Sequence, residues 1–102
     1  MMVDDARVID LAKEAVLIEK EGLESLVDQI GPSFADAVRL ICGLTGKVVL
    51  TGVGKSGIIA RKVASTMMSI GTPAIFMHPV DGLHGDLGSI MASDAVLIFS
   101  NS

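Results

Sequence analysis

Seven residues from Thr51 to Gly57, TGVGKSG, set three glycines around a lysine and a serine directly after an apolar run. Glycine lets the backbone approach a phosphate or a sugar closely. Ser56 can cap the helix that follows or donate to an anion at its start, and Lys55 adds a positive charge. That is the chemistry of a phosphate-holding loop. The plainer reading is a tight strand-to-helix turn carrying an exposed lysine. Gly52, Gly54 and Gly57 also satisfy G-x-G-x-x-G, the dinucleotide fingerprint. That fingerprint wants an acid about 20 residues on, where this chain has Met77 and His78; the nearest acid, Asp81, lies past Pro79. Gly54–Lys55–Ser56 matches the end of a Walker A loop, but the place of its first glycine is taken by Val49.

A second concentration is HPVDGLHGDLGS, residues 78–89. Both histidines of the chain, His78 and His84, stand there with Asp81 and Asp86 nearby. Histidine serves as acid, base, metal ligand or substrate hydrogen-bond partner. The spacing is not H-x-x-x-H, so the metal signal is weak, and a loop-stabilising role is the plainer one. The chain ends FSNS, which puts Ser100 and Ser102 after an apolar run. Short hydroxyl side chains there are good phosphate donors; alone they are turn chemistry.

The elements that position these residues follow from periodicity. Val8, Leu11, Ala15 and Ile18, continued by Leu23, Leu26 and Ile30, predict a long amphipathic helix over 4–30, with a kink at Gly22. Gly31–Pro32 breaks it, and Ser33 with Asp36 resembles a capping box opening a second helix over 33–44. Val48–Leu50, Ala74–Met77 and Ala95–Phe99 are apolar runs without polar alternation, as in buried parallel strands. Ile58–Ile70 reads as a helix stopped by Gly71, and residues 78–89 as a loop. Strands alternating with helices predict one α/β domain with a parallel sheet, its core over 47–102. The glycine and histidine loops then share the carboxyl ends of the strands.

Composition narrows the partners. The 102 residues suit one domain, half of them are apolar, and net charge is −4. Without a basic stripe, and with three phenylalanines as the only aromatics, a nucleic-acid surface is not expected. No apolar run is long enough to span a bilayer, and the opening MMVDDARVID lacks a secretory pattern. A single cysteine, Cys42, suits a reducing compartment, so a cytoplasmic location is expected. Cys42 itself reads as a small core residue on a helix face. A three-stranded sheet ending on AVLIF predicts an exposed apolar edge, hence a fragment or an obligate oligomer.

VVLTGVGKSGIIARKVASTMMSIGTPAIFMHPVDGLHGDLG followed by DAVLIFSNS closely resembles the sugar isomerase (SIS) domain of D-arabinose 5-phosphate isomerases. The G-x-G-K-S-G loop, the S-x-G-T-P turn and the H-P-x-x-x-x-H-G-D-L-G run are specific as a set. The resemblance implies a SIS-type three-layer sandwich, here only its first three strands plus two leading helices. It implies interconversion of D-ribulose 5-phosphate and D-arabinose 5-phosphate, a step toward the lipopolysaccharide sugar Kdo, in a homotetramer whose subunits share active sites. It implies catalytic roles for Lys55 and His84, and substrate contacts for Gly54, Ser56, Gly71, Thr72, His84, Ser100 and Ser102. No cofactor is required by the resemblance; zinc at His78 enters as an inhibitor. The family pattern runs on beyond Ser102 through further strands and, in most members, a pair of CBS modules, so little isomerase activity is expected of this chain alone. A non-catalytic phosphosugar-binding SIS module and a Rossmann-type, dinucleotide-binding oxidoreductase fragment are the alternatives.

Overall fold

A computed structural model describes residues 4–101; Ser102 lies outside the described residues. The chain divides into two compact units, Met1–Asp36 and Ala37–Ser102. The first is built on helix α1, Asp5–Gln29. Asp4 caps it, its side chain accepting from the Ala6 N–H at 3.4 Å, and Asp5 sits favourably at the positive end of the helix dipole. The helix runs unbroken through Gly22, where the Ser25 hydroxyl donates to the Gly22 carbonyl at 3.0 Å. None of its residues is buried.

Helix α2, Pro32–Cys42, begins one residue earlier than the capping-box pattern predicts. Pro32 supplies the pre-set φ of a first helical residue, and the Gly31 carbonyl accepts from Phe34 and Ala35. Cys42 is exposed, which corrects the expectation of a core cysteine. On the last turns it is Ile41, followed by Leu44, that packs toward the core.

The second unit carries the sheet. Strands β1 (Val48–Gly52), β2 (Ala74–Phe76) and β3 (Ala95–Phe99) are all parallel, in the order β2-β1-β3, so β1 is central. Val48, Val49 and Leu50 are almost wholly buried, as expected of an apolar strand flanked on both sides. Helix α3, Lys55–Ser69, covers one face. Its small residues Gly57, Ala60 and Ala64 let it lie close on the sheet, and Val48, Leu50 and Ala74 complete that core, with Val63, Met67, Phe76, Leu97 and Phe99 around it. Arg61 stacks over the Phe76 ring at 4.2 Å, sealing the margin. Gly71, at φ +91°, ends α3, with the Thr72 N–H reaching back to the Met67 carbonyl.

The opposite face is covered less. The segment expected to be a loop holds helix α4 (Pro79–Leu83) and a 3-10 turn, Asp86–Ser89. His78 caps α4 through Nδ1, which accepts from the Val80 N–H at 3.1 Å, and Pro79 takes the first helical position. The expected α/β class and parallel sheet are thus present, with a thin second layer. Among the described residues no helix is long and apolar enough to cross a membrane.

Candidate functional site

The sheet's carboxyl end opens into a cavity of about 530 Å³ lined by Thr51, Gly52, Val53, Ser56, Pro79, Ile98, Phe99, Ser100 and Asn101. Its shape comes from the glycine motif, whose members divide the labour. A Cβ at Gly57 would stand 2.5 Å from the Gly52 carbonyl oxygen, and one at Gly52 would stand 3.0 Å from both the Gly57 nitrogen and the Phe99 oxygen. These two glycines let the start of α3 touch the end of β1 backbone to backbone. Gly54, at φ +61° and ψ −132°, makes the turn itself in a conformation open to glycine. Its expected contact with substrate is therefore secondary to its backbone role.

Helix α3 opens at Lys55, three residues before the predicted start, because the loop is shorter than the motif suggests. The N-cap position falls on Gly54, which has no side chain to cap with, while Ser56, already inside the helix, lines the cavity. Lys55 and Ser56 stand at a helix N-terminus, where backbone N–H groups lack intrahelical acceptors and the dipole favours an anion. Ser100 joins them from the end of β3.

The other predicted residues fall differently. Lys55 is exposed beside the cavity without lining it. His84 closes α4, the helix that begins at cavity-lining Pro79, and its own ring is exposed. Gly71 and Thr72 lie at the other end of α3, next to the amino end of β2, where the Pro73 carbonyl accepts from Val48. A helix the length of α3 spans about 22 Å, so one chain does not bring them to the Ser56 cavity. Ser102 lies outside the described residues.

The residues present do not fit a zinc site. Among the described residues no three His, Cys, Asp or Glu side chains gather to hold a metal. His78 spends its Nδ1 lone pair on the Val80 N–H, which leaves the hydrogen on Nε2; ligation there would cost the α4 cap.

Sequence reasoning missed Thr51, whose Oγ1 is buried without a hydrogen-bond partner among the described residues. It also missed a polar cluster at the sheet's amino end. Asp94, with its side chain 2% exposed, pairs with the Lys47 ammonium at 2.7 Å. The Asp94 carboxylate also accepts from the Lys47 and Met91 backbone N–H groups, each at 2.8 Å. The Lys47 ammonium donates further to the Ser89 carbonyl at 3.1 Å. The Lys47 side-chain bond, then the two backbone N–H groups, lower the Asp94 pKa from 3.8 to about 2.

Comparison with known proteins agrees with this architecture. The SIS domain profile matches residues 45–102, which carry the sheet and the cavity. An arabinose 5-phosphate isomerase of Pseudomonas aeruginosa, KdsD, is 42% identical over 94 residues, covering 92% of this chain and 29% of that protein. The Escherichia coli arabinose 5-phosphate isomerase GutQ is 40% identical over 95 residues, covering 93% of this chain and 30% of GutQ. Among solved structures, c3406 of Escherichia coli CFT073, in complex with arabinose 5-phosphate, superposes with a TM-score of 0.88 at 41% identity. That match covers 98% of this chain and 53% of the other. The chain thus spans about half of that solved relative and under a third of the curated ones. The dinucleotide-binding alternative finds no support, since these relatives are phosphosugar isomerases and no acid follows β2 directly. On the profile match over more than half its length, the chain belongs to the SIS domain family.

Proposed function

We propose that this chain forms the phosphate-binding half of an arabinose 5-phosphate isomerase site, acting on D-ribulose 5-phosphate and D-arabinose 5-phosphate. The observation that carries the reading is the cavity at the joined ends of β1 and β3, with Ser56, Ser100 and the N-terminus of α3 on its wall. The phosphate would sit against those hydroxyls and the first N–H groups of α3, with the Lys55 ammonium supplying charge. Held there, it provides binding energy remote from the reacting carbons.

Isomerisation removes a proton from C2 of the aldose, passes through a cis-enediol and returns a proton to C1. Lys55 and His84, which the cavity lining does not include, are in this reading the groups offered to polarise the carbonyl oxygen or relay the oxygen-bound proton. No carboxylate lines the cavity among the described residues, so the carbon-bound proton has no base on its wall. Gly71 and Thr72 enter this reading only through a second copy of the chain, in keeping with a homo-oligomer.

Isothermal titration of the chain with arabinose 5-phosphate tests the reading. Saturable binding is expected, weakened severalfold by Lys55→Met, with little turnover in a coupled isomerase assay. Absence of binding to either pentose phosphate would remove it. A non-catalytic phosphosugar-binding module is the second reading, favoured by the same lack of a base in the cavity. Turnover at the rate of a full isomerase would eliminate that one.

A further inference from the structure

We infer that Met68 is a reversible oxidation site, a thioether that hydroperoxide converts mainly to one sulfoxide epimer and that thereby releases the turn between α3 and β2. Met68 stands on the last turn of α3 and holds the following turn at two points. Its carbonyl accepts from the Gly71 N–H at 3.2 Å, and its Sδ accepts from the Ala74 N–H at 3.2 Å. The second bond meets a need of the sheet. Among the described residues β2 is bonded to β1 alone. The Pro73 carbonyl and the Met77 N–H point to β1, so strand alternation turns the Ala74 N–H to the open side. Ala74 is buried, and a buried N–H without an acceptor is costly. The acceptor in that place is a thioether, a weak one.

The same side chain is open to solvent. Met68 is 56% exposed, against 8% for Met77, and Met67 packs toward the core. Met91 is as open, at 63%, but the group it gives to a described bond is its backbone N–H, donated to Asp94. In the oxidation a sulfur lone pair attacks one peroxide oxygen. The S–O bond forms as the O–O bond breaks, and the departing hydroxide takes the proton of the transferred oxygen to become water. Sulfur loses two electrons and the peroxide gains them. Of the two lone pairs on Sδ, one faces the Ala74 N–H. Oxygen therefore adds at the other, which gives one epimer in excess. The oxidised sulfur is positively polarised and no longer suits that N–H, and the new oxygen points away from it. The clasp on the Gly71–Pro73 turn opens, and a sulfoxide reductase specific for that epimer closes it again.

Treating the chain with hydrogen peroxide and mapping its peptides by mass tests this. Met68 and Met91 are expected to oxidise, with Met67 and Met77 spared. The two stereospecific methionine sulfoxide reductases each remove one epimer. At Met68 one of them is expected to remove about two- to tenfold more than the other, the bias that one hydrogen bond gives; at Met91 the two should share the sulfoxide evenly. In the oxidised chain, amide exchange at Ala74, followed by NMR, is expected to speed up about two- to tenfold, while exchange at Leu50 in β1 stays as it was. Met68→Leu, of similar volume at an exposed position, is expected to show the fast Ala74 exchange without peroxide and no further change with it. Equal epimers at Met68 overturn the inference, as does Ala74 exchange that oxidation leaves unchanged or slows. Protection of Met68 under conditions that oxidise Met91 overturns it as well.

Discussion

The two ends of the sheet are built by opposite means. At the amino end, one carboxylate gathers everything near it: Asp94 takes the Lys47 ammonium, the Lys47 N–H and the Met91 N–H, and the Gly46 N–H goes to Ser93. At the carboxyl end, side chains do little of the holding. There Gly52 and Gly57 press backbone on backbone, Gly54 offers α3 no side-chain cap, and the Thr51 hydroxyl has no hydrogen-bond partner among the described residues. The first end saturates its polar groups and fixes the crossover. The second is shaped by close approach and leaves hydrogen-bonding capacity over, as a binding end must. On the proposed function, stability and recognition are segregated along one strand, β1.

Substitutions that separate the ends sharpen this contrast. Leu50, fully buried in the strand common to both, should matter most: Leu50→Ala is expected to cost about 2–5 kcal/mol in denaturant unfolding and to damage both ends together. Gly57→Ala should cost about 1–3 kcal/mol, since its Cβ meets a backbone oxygen that cannot turn aside. It should also weaken phosphosugar binding, while hydrogen exchange at Lys47 and Met91 stays slow.

Asp94→Asn attacks the other end by setting amide hydrogens against the donors of Lys47 and Met91. Because the folded pKa of Asp94 lies below its unfolded value, its stabilisation is complete above about pH 4 and is lost as pH falls toward about 2. The stability gap between wild type and Asp94→Asn, followed by circular dichroism, should be constant at neutral pH and close across that window. Ligand affinity measured on the folded variant should not change. Smallest of all, Lys20→Ala removes an exposed 3.9 Å pair with Glu24 on α1 and should shift stability by at most about 0.5 kcal/mol. A larger effect there would mean that α1 is tied down by more than its own turns.

The strands were readable because β-branched apolar runs such as Val48–Leu50 admit few other fates, and α3 because glycine brackets it at both ends. Residues 78–89 were harder. His78 followed by Pro79 is a helix-start signal, but Gly82 and Gly85 argue for a loop. What overrides them is packing: Gly82 is buried, with room for the Met77 sulfur and Leu87 close against it. Cys42 was misread because residue type says nothing about helical phase, and Ile41 holds the inward place. The Lys47–Asp94 pair joins residues far apart in the chain, which no local pattern reports. Ser56 and Ser100, legible from motif position, line the cavity. Thr51 was not legible, since a threonine in a strand looks like ordinary β propensity until its missing partner is seen.

The strand order leaves β3 bonded to β1 on one side alone among the described residues. Its sequence, AVLIF, has no charge and no proline, and Ile98 is 74% exposed. Such a ribbon has the makeup of a fibril seed. Residues 1–102 taken alone should therefore behave on storage in a way that depends steeply on concentration, with light scattering growing over days and thioflavin fluorescence rising alongside. A lysine in place of Val96 would act as a gatekeeper and slow both.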